Sequence, residues 1–162
     1  MDFIWRSLGK IWRLGGGGWR WQVLWLMNPT FLVGVTGVVR NDRGEILLLR
    51  HRFWREGSWG LPSGLAKRNE TMEEAFRREV REETAFELSE PHVVRVLSGF
   101  RLRLEVHFTA SIAGGELSID RREILEAAFF APDNLPDGLL VGHRKTVALA
   151  IRPAPAEPVS DG

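Results

Sequence analysis

From Thr71 to Ala85 the chain carries no proline or glycine, and Thr71 stands three residues before Glu74. That pairing satisfies two backbone N–H groups at a helix start, one through the threonine hydroxyl and one through the glutamate carboxylate. A helix with a defined first turn is therefore predicted near the middle of the chain, and any fold must find a place for it. The same segment holds Glu79, Glu82 and Glu83. Spacings of three and four residues bring their carboxylates to one helix face, within reach of a shared point. By helical angle Arg77 and Arg81 project from another face, and Arg78 lies beside Glu82.

The segments around this helix read as strands. FLVGVTGVVR, residues 31 to 40, is β-branched and apolar, and Asn41-Asp42-Arg43-Gly44 supplies turn chemistry before the apolar run Ile46 to Leu49, which together predict a β-hairpin. Leu102, Leu104, Val106 and Phe108 alternate with polar residues, the period of a half-buried strand, and Gly114-Gly115 is expected to turn it into a partner strand. Residues 126 to 131 suit a further strand, and His143 to Ile151 a final helix. Residues 53 to 64, rich in Gly, Trp and Pro, read as an ordered loop. The fold class is therefore α/β. At 162 residues, 44% hydrophobic and 27% charged, the chain has the size and balance of one globular domain. It contains no cysteine, which excludes a disulfide framework and thiolate metal sites and fits a reducing compartment; the cytoplasm is the expected address.

The two ends differ from the domain at residues 29–151. Residues 1–28 form a basic, Trp-rich N-terminal arm whose only acid is Asp2. Ile4, Leu8, Ile11 and Trp12 fall at helical spacing, so a short basic amphipathic helix is predicted over residues 1–14, followed by a flexible joint at Gly15–Gly18. Such an arm, over residues 1–26, could touch a membrane surface peripherally, or pack against the domain or the mate of a homodimer. Its basic residues interrupt the apolar run too often for a spanning helix or a signal peptide. Residues 152–162, RPAPAEPVSDG, are expected to be a disordered tail. The net charge is +1, from 22 basic and 21 acidic residues, so no overall field draws the chain to nucleic acid; the expected partner is a small molecule, not nucleic acid.

Three like charges on one helix face destabilise an isolated helix by some tenths of a kcal/mol per pair. They need a cation or full solvation, and one guanidinium cannot neutralise them all. A solvated Glu- and Arg-rich face is the plain alternative. Oxygen ligands without His or Cys favour Mg²⁺, with Mn²⁺ as a substitute, over zinc. Magnesium characteristically bridges protein carboxylates to phosphates, which points to phosphate chemistry.

The flanking pattern favours the functional reading. Gly64, Glu70, Arg78, Glu79, Val80, Glu82, Glu83 and Phe86 together resemble the Nudix box, with Ala85 standing where the family has glycine; Trp59-Gly-Leu-Pro62 ahead of it is also similar to the family's lead-in. The resemblance spans roughly residues 31 to 151. It implies a Nudix-like α/β/α sandwich with a mixed β-sheet, in which Glu79, Glu82, Glu83 and the Gly64 carbonyl hold the metal and Glu70 pairs with Arg78. It further implies Mg²⁺-dependent attack of water on a diphosphate linkage in a nucleoside diphosphate derivative or nucleoside triphosphate, with Arg78, Glu79 and Glu82 among the catalytic residues. The general base is Glu82, Glu79, or a carboxylate from a later loop, Glu123 or Glu126. A non-catalytic nucleotide-binding Nudix module is the alternative, although such modules usually lose box carboxylates that are all present here.

Other residues carry weaker signals. Arg50 and Arg52 could bind substrate phosphate or simply protect a strand edge. Phe53, Trp54 and Trp59 could stack a base, though packing is the commoner use of loop aromatics. The four histidines show no ligand spacing. Among markers of Nudix subfamilies, the chain has no tyrosine of the diadenosine polyphosphate hydrolases, has Arg101 and its neighbours in place of the proline of ADP-ribose hydrolases, and lacks the proline-rich motif of NADH hydrolases. If the family's glycine at position 85 is left-handed, alanine there costs about 1 kcal/mol.

Overall fold

β1 (Leu32–Arg40) is the spine of the structure, a computed structural model that describes residues 17–27, 30–98 and 102–151. Its β-branched residues suit a pleated backbone buried on both sides. It runs parallel to β6 (Arg103–Gly114) along its whole length, from Leu32 opposite Arg103 to Arg40 opposite Ser111. It is antiparallel to the short β3 (Ser63–Leu65), with Val35 opposite Gly64. β2 (Ile46–His51) meets β1 only at Arg40 opposite Ile46, then diverges to pair antiparallel with β7 (Ile124–Phe130). β4 (Glu87–Leu88) and β5 (His92–Ser98) are antiparallel to β6. The result is a seven-stranded mixed sheet with the main order β4-β6-β1-β2-β7.

Period-two alternation divides the core between the two faces of this sheet. Val35, Val39, Leu47, Leu49 and Phe108 face α2 (Met72–Thr84), which contributes Ala75, Phe76 and Val80. Val38, Ile46 and Leu48 face the other way and pack with Leu61, Leu139 and Val147, the last from α3 (Val141–Ala150). Each fully buried aliphatic or aromatic side chain contributes roughly 1.5–3 kcal/mol. The helices so placed make the expected α/β/α sandwich. Contact between α2 and β1 depends on Gly37, because a Cβ there would come within 2.3 Å of the Phe76 ring. α1 (Gly17–Met27) precedes the sheet and leaves Trp25, Leu26 and Met27 exposed.

Four expectations need correction. Gly17 and Gly18, assigned to a flexible joint, open α1. The hairpin of β1 and β2 is splayed, because β1 gives its edges to β6 and β3. The strand after residue 102 is not half-buried by alternation: Val106, His107 and Phe108 are all buried, since β6 is covered on both faces. Gly114-Gly115 does not turn β6 into a neighbour. β6 already has β1 on one side and β4 and β5 on the other, so the chain crosses instead to the end of α2, where Ser118 N–H donates to the Thr84 carbonyl at 2.9 Å and Asp120 N–H to that of Glu83 at 3.2 Å. The amphipathic helix of residues 1–14 and the tail lie outside the described residues. Among the described residues no helix is long and apolar enough to cross a membrane.

Candidate active site

The capping box fixes where α2 starts, and thereby where its carboxylates point. Thr71 Oγ1 accepts from Glu74 N–H at 3.1 Å, and Glu74 Oε2 accepts from Thr71 N–H at 2.7 Å. Behind this turn, Glu70 receives Arg78 on both oxygens, Nε at 3.0 Å and Nη2 at 2.8 Å, and Lys67 N–H as well. The fork-to-fork geometry is the strong form of such a pair. The Arg78 guanidinium, helped by the Lys67 N–H, holds the Glu70 carboxyl down at about 2. Arg78 Nη2 also donates to the Leu65 carbonyl at 3.0 Å. One side chain thus clips the loop of residues 65–70 to the helix.

Arg78 has one more nitrogen, and it divides the three glutamates. Nη1 donates to Glu79 Oε1 at 2.6 Å and to Glu82 Oε2 at 3.2 Å. Glu83 receives nothing from it. Glu83 is 6% exposed, and its Oε2 has no hydrogen-bond partner. Burial, reinforced by the neighbouring charge of Glu79, pushes the Glu83 carboxyl well above the ordinary range, against a smaller opposing effect of the Ser63 N–H. An orphaned buried carboxylate oxygen is costly and calls for a proton or a cation. Gly64 meets the same point: a Cβ there would lie 1.9 Å from Glu79 Cδ, so only glycine admits the carboxylate against its backbone. Among the described residues no three His, Cys, Asp or Glu side chains stand grouped so as to hold a metal ion; Glu79 and Glu82 each turn an oxygen to Arg78. The donor set nevertheless fits a hard cation: carboxylate oxygens beside a glycine carbonyl, with one oxygen left over.

These residues line an open cleft of about 590 Å³. Glu79, Glu82, Glu83 and Gly64 form its floor, and Glu123, also anticipated from sequence, stands at its rim. Glu123 Oε2 lies 3.4 Å from His51 Nε2. His51 Nδ1 takes the Phe53 N–H at 3.4 Å. Glu126 is not in the cleft; it pairs with Arg50 Nη1 at 2.9 Å. Arg50 and Arg52 line an adjoining cleft of about 310 Å³. Arg52 braces the rim loop, its Nε and Nη2 donating to the carbonyls of Arg122 and Arg121 at 3.2 and 3.1 Å. Lys67, 3.4 Å from Glu82, and the ion pair of Asp120 with Arg122 at 2.6 Å complete the wall. Sequence reasoning did not single out His51, Lys67, Asp120 or Arg122. Lys67 alone carried a signal, its place inside the loop between Gly64 and Glu70.

Fold and site together define a class: an α/β/α sandwich whose capped helix, clipped by an internal arginine, presents carboxylates to an open cleft. The NUDIX domain family profile matches residues 30–150. The chain belongs to the Nudix family. It is 36% identical over 101 residues to the NAD-capped RNA hydrolase NudC of Erwinia tasmaniensis, covering 61% of this chain and 39% of that one. It is 34% identical over 121 residues to the protein of the same name from Vibrio atlanticus, covering 72% and 44%. It therefore spans about two-fifths of the length of these relatives. The crystal structure of a MutT NUDIX hydrolase from Burkholderia pseudomallei superposes with a TM-score of 0.66 at 26% identity, covering 75% of this chain and 98% of that one.

Proposed function

We propose that the chain is a pyrophosphohydrolase that uses a divalent cation, Mg²⁺ or in its place Mn²⁺, to cleave a diphosphate linkage in a nucleoside diphosphate derivative or nucleoside triphosphate. The observation that carries this reading is Glu83, buried with an oxygen unpartnered in a cleft floored by two further glutamates. Glu79, Glu82, Glu83 and the Gly64 carbonyl would hold the cation. When bound, it supplies charge neutralisation for phosphate oxygens and lowers the pKa of water. Arg78 keeps the box folded through Glu70 while sharing Glu79 and Glu82. Glu123 takes the proton of the attacking water, with the His51 ring 3.4 Å from that carboxylate to keep it at the cleft. The water oxygen bonds to phosphorus as the anhydride P–O bond breaks, leaving a nucleoside monophosphate and a phosphorylated second product.

The names of the NudC relatives support adding NAD-capped RNA to the substrates considered, although the proline-rich motif of NADH hydrolases is absent. All box carboxylates are present, which supports catalysis over a purely nucleotide-binding role. Reaction in ¹⁸O-labelled water, with a panel of triphosphates, nucleotide sugars, ADP-ribose, dinucleotides and capped RNA, tests the reading. Products carrying one ¹⁸O on a phosphate are expected; intact substrates throughout, with folding verified, would overturn it.

A further inference from the structure

The cleft of about 310 Å³ beside the proposed catalytic one shares two lining residues with it, His51 and Trp54. The two clefts differ in charge. The first is lined by four glutamates and an aspartate, and its two cations are engaged, Lys67 with Glu82 and Arg122 with Asp120. The second is lined by Arg50, Arg52 and Arg55 against a single acid, Glu56. Arg50 gives Nη1 to Glu126 and keeps its other nitrogens. Arg52 is held by two backbone carbonyls, partners that align the guanidinium without neutralising it. Arg55 is exposed, and among the described residues its side chain has no hydrogen-bond or ion-pair partner. Planar guanidinium forks in a polar cleft suit phosphate oxygens.

We propose that this second cleft is an anion subsite for a phosphate or phosphodiester of the substrate lying beyond the scissile diphosphate. The inference rests on the hydrolase reading only in placing the diphosphate over the glutamates. Negative charge in excess of what a cation neutralises there finds its counter-charge across the His51 and Trp54 wall. The substrate class so selected carries a further phosphate, either as a polyphosphate chain or as the first phosphodiester of an oligonucleotide.

Arg55 is the residue to change, since its guanidinium holds no part of the fold together, whereas loss of Arg52 would loosen the rim loop. Calorimetry with Mg²⁺ would compare a nucleoside 5′-monophosphate, an uncleavable α,β-methylene triphosphate and a 5′-phosphorylated dinucleotide. At least one of the last two is expected to bind the wild type about tenfold tighter than the monophosphate, with most of that advantage lost in Arg55→Gln and partly kept in Arg55→Lys. An advantage confined to the triphosphate identifies the polyphosphate source, and one confined to the dinucleotide the phosphodiester. No advantage in the wild type, or one undiminished in Arg55→Gln, would overturn the subsite. Turnover without the advantage would strike this inference alone; the advantage without turnover would strike the hydrolase reading alone.

Discussion

Ala85 closes α2 in the left-handed region, at φ 62° and ψ 10°, its N–H donating to the Arg81 carbonyl at 2.9 Å. The left-handed conformation considered for this position is adopted, and the alanine bears the strain of its Cβ. Ala85→Gly is predicted to raise stability by about 0.5–1 kcal/mol, the relief of strain less the added freedom of the unfolded chain. A higher urea midpoint at unchanged slope would record it; an unchanged or lower midpoint would contradict it. A second residue acts through its protonation state. His143 Nδ1 accepts the Leu61 N–H at 2.9 Å, tying the start of α3 to the loop ahead of the box. Burial, with a smaller push from His107, holds the imidazole down at about 4 from 6.5. Between those values the unfolded chain binds a proton that the folded chain does not. The stability concerned is thus full above about pH 6.5 and is lost as pH falls toward 4, by on the order of 3 kcal/mol at most. Denaturation midpoints measured across pH 4 to 7 should fall with pH in the wild type and flatten in His143→Gln; equal slopes would show that the proton is bound elsewhere.

At the scale of elements, α2 was legible in the sequence because everything that defines it is local. The cap joins residues three apart, the carboxylates lie three and four apart, and Arg78 meets Glu70 across one loop. Thr71→Ala removes the hydroxyl that receives Glu74 N–H and is predicted to lower stability by about 1 kcal/mol, read as a fall in the urea midpoint. A midpoint unmoved by the change would mean that tertiary packing alone sets the helix start. The strands were legible only where sequence neighbours are also spatial neighbours. β1 was recognisable by its β-branched residues, but its parallel partner β6 lies some seventy residues away in sequence, and no pattern in either strand announces the pairing. β5 escaped notice because HVVRVLS does not alternate and its valines at 93 and 96 are exposed. The same nonlocality hid half of the cleft. Main-chain bonds at the end of α2 bring Asp120, and with it Arg122, to Glu83, and His51 reaches Glu123 from the end of β2; of these only Glu123 was anticipated, as a carboxylate from a later loop, and the others leave no spacing to read.

For the molecule as a whole, the near-zero net charge of +1 conceals a sharp local separation between a glutamate-lined cleft and an arginine-lined one. The family fold accounts for residues 30–150, and α1 presents Trp25, Leu26 and Met27 outward ahead of it. We propose that residues 1–26 meet a surface, whether a membrane, the domain itself or a second copy. Co-sedimentation with anionic liposomes should favour the full chain over one starting at Asn28 if the surface is a membrane, and equal pelleting would leave the packed alternative. The proposed hydrolysis depends on the glutamates of α2. The measurement that reaches them most directly is turnover of a diphosphate-containing substrate with Mg²⁺ and with chelator, by the wild type and by Glu83→Gln. Cation-dependent turnover in the wild type that falls by about a hundredfold or more in the folded variant is the predicted result, given the several kcal/mol that a cation contributes at a phosphoryl centre. Turnover indifferent to chelator, or unchanged in Glu83→Gln, would contradict it.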